Sequence, residues 1–215
     1  MSIKIEAWGP YACFSRPELH TERVSYDVMT PSAARGLIES VYFHPGLKWK
    51  IDRIYVLNDI HMTNIRRNEV KSTVMASNVL AAMRGGQAPL GIYTSQDIQQ
   101  RAALVLQDVH YVIEAHFTMT EKAAPSDNPG KFQDITRRRL ARGQCYSQPY
   151  FGCREFPAQF CEWGGGEIKT ADITQDLGYM LYDLDYSDPQ NIRPQFFRAR
   201  LENGVLDLRD CEVLS

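Results

Sequence analysis

Apolar positions recur along the chain in two periods, and each period predicts a different element. Ile3, Ile5 and Ala7 alternate with Lys4 and Glu6, a period of two that predicts an N-terminal strand with one buried face. After Thr30, an effective N-cap, Pro31 stands at the first helical position. Ala34, Leu37, Ile38 and Val41 then fall on one face, and Pro45-Gly46 stops the helix. Lys48–Asn58 reads as a second strand and Ile60–Val70 as a weaker third, whereas the Ala-, Gly-, Ser- and Met-rich stretch 71–100 has mixed periodicity and no assignable element. The alternation from Val109 to Thr120 predicts a long antiparallel strand with Tyr111, Ile113, Ala115 and Phe117 on its apolar face.

A second helix is predicted from Asn128 as N-cap and Pro129 at the first position, with Phe132, Ile135 and Leu140 apolar and Gly143 as the stop. Beyond it the chain is strand-rich. Gly178–Tyr186 is one strand, and Asn203-Gly204 has the residues of a type I′ hairpin turn. This order gives an α+β fold. A ferredoxin-like (RRM-like) N-terminal domain, with two helices covering an antiparallel sheet, is expected over 1–145 with an inserted segment near 71–100. A small antiparallel β-sheet domain is expected over 146–215. An open sheet face of this kind is a common RNA platform, although fold alone does not assign function.

Composition narrows the classes. With 215 residues, 44% of them hydrophobic and 23% charged, the chain has the make-up of a globular protein with a sizeable core. No run of about 18 apolar residues and no basic-then-apolar leader occurs, so a cytoplasmic protein without membrane association is expected. Cys13, Cys145, Cys153, Cys161 and Cys211 are odd in number and never spaced CxxC, which favours reduced thiols over disulfides or zinc. No cofactor motif is present. The net charge of −2 gives no bulk electrostatic case for nucleic acid, so any such case must be local. One cluster qualifies: Lys131–Arg142 holds five basic residues against one acidic.

Three places could carry chemistry. At the start of the second helix, Asn128-Pro129-Gly130-Lys131 brings free N–H groups, the positive end of a helix dipole and an ammonium together, which suits a phosphate. An ordinary capped helix with a solvated lysine explains the same residues. Arg137, Arg138, Arg139 and Arg142 extend that basic character and could line an RNA backbone, or could simply complement the helix C-terminus. At the end of the first helix, Tyr42 and His44 are two proton-transfer groups two residues apart, though a core tyrosine and a surface histidine are the plainer account. The third place, Trp163–Glu167, has three glycines but lacks the context of a dinucleotide or phosphate loop, and reads as a hairpin tip.

Five blocks carry a resemblance: ERVSYDVMTPSAARGLIESVYFHP (Glu22–Pro45), IDRIYVLNDI (Ile51–Ile60), DVHYVIEAHF (Asp108–Phe117), NPGKFQDITRRRLARGQC (Asn128–Cys145) and QPYFGCREFPA (Gln148–Ala158). In this order they resemble the CRISPR-associated endoribonuclease family of the type I-C system, repeat-associated proteins with ferredoxin-like domains. The resemblance implies binding to the repeat hairpin of precursor RNA, a metal-free cut on the 3′ side of its stem, and retention with the mature guide RNA in the interference complex. Double-stranded DNA is a further conceivable partner of the same basic surface. It also implies an active site made of a tyrosine ending the first helix and a Lys-His pair opening the second. Tyr42 and Lys131 match, but position 132 is phenylalanine. His44 is the expected substitute for the missing imidazole, with His116 as second choice. Arg137, Arg138, Arg139, Arg142 and Arg23, which follows Glu22 in the first block, are the expected RNA contacts.

Overall fold

The structure, a computed structural model, describes residues 2–19, 22–86 and 90–214. In chain order the elements are β1 (Ser2–Ala12), β2 (Arg23–Val24), α1 (Pro31–Val41), β3 (Leu47–Val56), β4 (His61–Val70), α2 (Ala76–Met83) and β5 (Ile98–Met119). They continue with α3 (Pro129–Ala141), β6 (Gln159–Glu162), β7 (Gln175–Asp185), β8 (Arg193–Glu202), β9 (Val205–Asp207) and β10 (Val213–Leu214).

The strands join one sheet whose main path runs β10-β8-β9-β3-β5-β1-β6, and every pairing along the inner part is antiparallel. Within it, β6-β1-β5-β3 is crossed by α1 between β1 and β3 and by α3 between β5 and β6. This is the βαββαβ connectivity of a split βαβ unit. Helix α1 packs against β3 and β7, α3 packs against β6, and the two helices touch. Inward side chains of β1 and β5, among them Ile3, Ile5, Ala7, Tyr111, Ile113 and Ala115, form the core beneath them.

Local chemistry accounts for the helix ends. The Thr30 hydroxyl accepts the Ala33 N–H at 3.3 Å, and the Asn128 side chain accepts the Lys131 N–H at 2.9 Å, so each helix starts on a satisfied cap ahead of its proline. Gly143, at φ +59°, ends α3 in the left-handed region. Asn203 and Gly204 both take positive φ, 49° and 72°, as a type I′ turn between β8 and β9 requires.

Contacts divide the chain into a larger unit, 1–63 with 104–215, and a smaller one, 64–103. The expected boundary at 145 falls inside the larger unit, where β6 pairs with β1 and β9 pairs with β3. In the smaller unit α2 buries none of its residues and leaves Leu80 and Met83 exposed. The helix lies in the stretch where sequence periodicity assigned nothing. Among the described residues, no helix is long and apolar enough to cross a membrane.

Candidate active site

Helix α1 ends where α3 begins to pack, and this junction gathers the two sequence motifs. Tyr42 is the C-cap of α1: its N–H donates to the Ile38 carbonyl at 3.0 Å, and its own carbonyl accepts the Trp49 indole N–H at 3.2 Å. Only 6% of the residue is exposed. Its ring lies 6.1 Å from that of Phe132, centroid to centroid, and the Arg139 guanidinium stands 5.0 Å over its face. Arg139 is itself fixed by donating to the Val41 carbonyl at 2.7 Å.

His44 follows on the α1–β3 turn. Its ring sits 4.9 Å from that of Phe132. The Gly46 N–H donates to Nδ1 at 3.0 Å, which makes Nε2 the protonated nitrogen of the neutral ring. Nε2 is 4.0 Å from Oδ2 of Asp127, and the other oxygen of that carboxylate, Oδ1, accepts the Lys131 ammonium at 2.8 Å. The Asp127 side chain is 3% exposed. One carboxylate therefore faces both candidate groups, and sequence reasoning did not single it out. Its position four residues before Lys131, in a turn opening a capped helix, was the available signal. Thr120 ties the two loops together: its hydroxyl donates to the Pro45 carbonyl at 2.6 Å and its N–H to the Gly46 carbonyl at 3.0 Å.

Burial pushes the Tyr42 phenol above its ordinary value of 10.0; the Arg139 and Lys131 cations pull it down, and Asp127 pushes it up. Burial dominates, so the phenol is a proton donor at neutral pH. The Lys131 ammonium, with the Ala124 N–H, holds the Asp127 carboxyl below its usual 3.8. That carboxylate anchors the lysine side chain at the start of α3.

The remaining nominated residues separate. Phe132 is fully buried among Tyr42, His44 and Phe117. Arg137 lies 3.6 Å from Glu162 on β6, Arg23 lies 3.7 Å from Glu155, and Arg138 and Arg142 are exposed. Arg139 thus stands with Tyr42 rather than in a row with its neighbours. His116 is engaged by Asp52 at 2.8 Å, and His110 by Glu6 at 2.7 Å. The glycines of Trp163–Glu167 form the loop between β6 and β7, and Gly165 and Gly166 take positive φ.

An antiparallel α+β platform with a phenol, an imidazole and an ammonium at facing helix ends defines a class of acid–base sites suited to phosphodiesters. Comparison with known proteins gives the family. Residues 2–209 match Cas_Cas5d, described as CRISPR-associated protein (Cas_Cas5), and the chain belongs to that family. A curated relative from Mannheimia succiniciproducens, named CRISPR pre-crRNA endoribonuclease Cas5d, is 46% identical over 96% of this chain and 94% of its own length. A relative of the same name from Thermus thermophilus is 38% identical over 96% of this chain and 90% of its own. Among solved structures, one titled Crystal Structure of CRISPR-associated Protein shares the fold at a TM-score of 0.71 and 20% identity, covering 100% of this chain and 97% of that one. A chain of a CRISPR RNA-guided surveillance complex shares it at a TM-score of 0.51 and 12% identity, with 100% of this chain and 89% of that one covered.

Proposed function

We propose that the chain is a metal-independent endoribonuclease. It binds the hairpin of the CRISPR repeat in precursor RNA, cuts on the 3′ side of the stem, and stays with the mature guide RNA as a subunit of the type I-C interference complex. The observation carrying this reading is the meeting of Tyr42, His44 and Lys131 around Asp127 and Phe132. The names of the two curated relatives support the substrate class. Residues 2–145 carry the site, and 146–214 extend the sheet at both of its edges.

In the mechanism, the 2′-oxygen beside the scissile phosphate attacks phosphorus and loses its proton to solvent. Lys131 balances the charge that grows on the phosphorane oxygens, and the Tyr42 hydroxyl donates to one of them. The bond to the 5′-oxygen breaks as that oxygen takes a proton from solvent, its developing charge met by a hydrogen bond from the Nε2–H of His44, leaving a 2′,3′-cyclic phosphate and a 5′-hydroxyl. Arg139 holds Tyr42 in place, while Arg137, Arg138, Arg142 and Arg23 attract the RNA backbone.

The test is incubation with cognate repeat RNA in EDTA, followed by repetition with a 2′-deoxynucleotide before the cut. A single defined cut that the deoxy substitution abolishes is expected, and a cut that survives it excludes 2′-hydroxyl attack. Phe132 in the place of the family's histidine favours one second reading, a non-catalytic scaffold holding the 5′ handle of the guide. Tight repeat binding without any cut would select it.

A further inference from the structure

Along α1, on the side facing β7 and the loop around Tyr150, runs an open hollow of about 400 Å³. That is within the roughly 300–1,000 Å³ of small-molecule clefts. Leu181 and Leu184 give it apolar wall, and the exposed rings of Tyr150 and Tyr186 stand at its margin. Polar groups line it as well. Arg35 donates to Oδ1 of Asp183 at 2.7 Å and lies 3.8 Å from Glu39, while its Nε is buried without a hydrogen-bond partner. Oδ1 also accepts the Leu184 N–H at 2.8 Å, so Oδ2 remains as an acceptor. With its cation balanced by carboxylates, the hollow does not suit a phosphate. Donors and acceptors at fixed positions beside aromatic rings suit a planar, uncharged heterocycle.

Gly36 makes the independent point. A glycine inside a helix costs stability relative to alanine. Yet nothing lies within 4 Å of where its Cβ would be, so no packing within the described chain requires it. Gly36 lines the hollow. A helix-interior glycine over open space marks a place where something from outside comes close to the backbone. Seven residues, about 10 Å of helix, separate Arg35 from Tyr42.

We propose that this hollow is a subsite for one unpaired nucleobase of the repeat RNA, lying over Gly36 against the tyrosine rings with its edge read by Arg35 and Asp183. The proposal deepens, and rests on, the reading of the chain as a repeat-RNA-binding protein. Single-stranded bases are recognised in this way, by stacking on aromatic rings and hydrogen bonding along the edge.

The test is equilibrium binding of a repeat RNA made uncleavable by a 2′-deoxynucleotide at the cut, with single abasic replacements scanned through the unpaired nucleotides beside the stem. The proteins are wild type, Gly36→Phe, which fills the hollow, and Tyr186→Ala, which removes an exposed ring. For wild type, one abasic position should weaken binding about 10-fold or more, the scale of one stacked base. Both variants should bind intact RNA more weakly and lose sensitivity at that position alone. Thermal melts identify a misfolded Gly36→Phe, in which case Tyr186→Ala carries the test. The proposal is overturned if no abasic position matters to wild type by more than about twofold, or if the variants keep wild-type affinity and the same sensitive position. Failure of wild type to bind any repeat RNA would instead remove the underlying function.

Discussion

The rings of His44 and Phe132 lie 4.9 Å apart and tilted by 44°, so the imidazole rests on the side chain at the position where the resemblance implies a histidine. In the proposed mechanism the imidazole N–H acts from the α1–β3 turn, beside the carboxylate that also holds Lys131. His44→Ala should slow single-turnover cleavage of repeat RNA by about 10² to 10³, the usual size of one hydrogen-bond donor to developing charge. Phe132→His should not compensate. With no exposed surface at that position, a new ring nitrogen left without a partner should cost about 1–3 kcal/mol, visible as a lower urea midpoint. An unchanged rate in His44→Ala would remove this residue from the mechanism.

Tyr42 should act in its protonated form throughout the physiological range, because burial raises its phenol above 10.0 more than Arg139 and Lys131 lower it. Cleavage by wild type and by Tyr42→Phe should therefore follow parallel pH profiles between pH 6 and about 9, the variant lying uniformly lower. An alkaline rise below pH 9 that vanishes in the variant would mean that the phenolate is the base.

Acid should unfold the protein partly through Asp207, at the end of β9. Arg209 donates to it at 2.6 and 2.9 Å and Arg53 at 3.1 Å; these bonds, Arg209's foremost, hold its carboxyl well below 3.8. A carboxyl depressed in the native state stabilises at pH values above its unfolded value, and that contribution is lost as pH falls through the native one. Melting temperatures should be level down to about pH 4 and drop below it. Asp207→Asn should lower the plateau and soften the acid limb.

Gly152 should tolerate no side chain. At φ +77° it lies against the end of β1, and a Cβ there would overlap the Cys13 carbonyl, backbone with no freedom to yield. Phe151 beside it is fully buried and its carbonyl accepts the Cys13 N–H at 3.0 Å. Gly152→Ala should lose more than about 2 kcal/mol in chemical denaturation or fail to accumulate as soluble protein. Gly165→Ala, with open space around it, serves as the comparison.

Much of this architecture is written in local signals. Thr30-Pro31 and Asn128-Pro129 start α1 and α3 where capping chemistry predicts, and Asn203-Gly204 turns as its left-handed preference demands. The long alternation at Val109 marks β5, although the strand begins earlier, at Ile98, because the residues ahead of Asp108 pair without a clean period of two. Helix α2 escaped notice because it buries nothing and so has no apolar stripe to read. At the site, Tyr42, His44 and Lys131 stand out from their positions at element ends. The Arg139 contact with Tyr42 and the approach of His44 to Asp127 arise from packing of segments some 80 to 100 residues apart, which no spacing along the chain encodes.

The two bonds from Thr120 to the Pro45-Gly46 turn make the junction of the helices a single casting rather than two parts brought into line. Loops that carry reacting groups ordinarily wander, and time spent out of alignment is time without turnover. Here a residue at the end of β5, on neither helix, pins the turn that follows His44 to the segment leading into α3. Evolution could therefore adjust the pace of RNA maturation at Thr120 while leaving every reacting atom as it is.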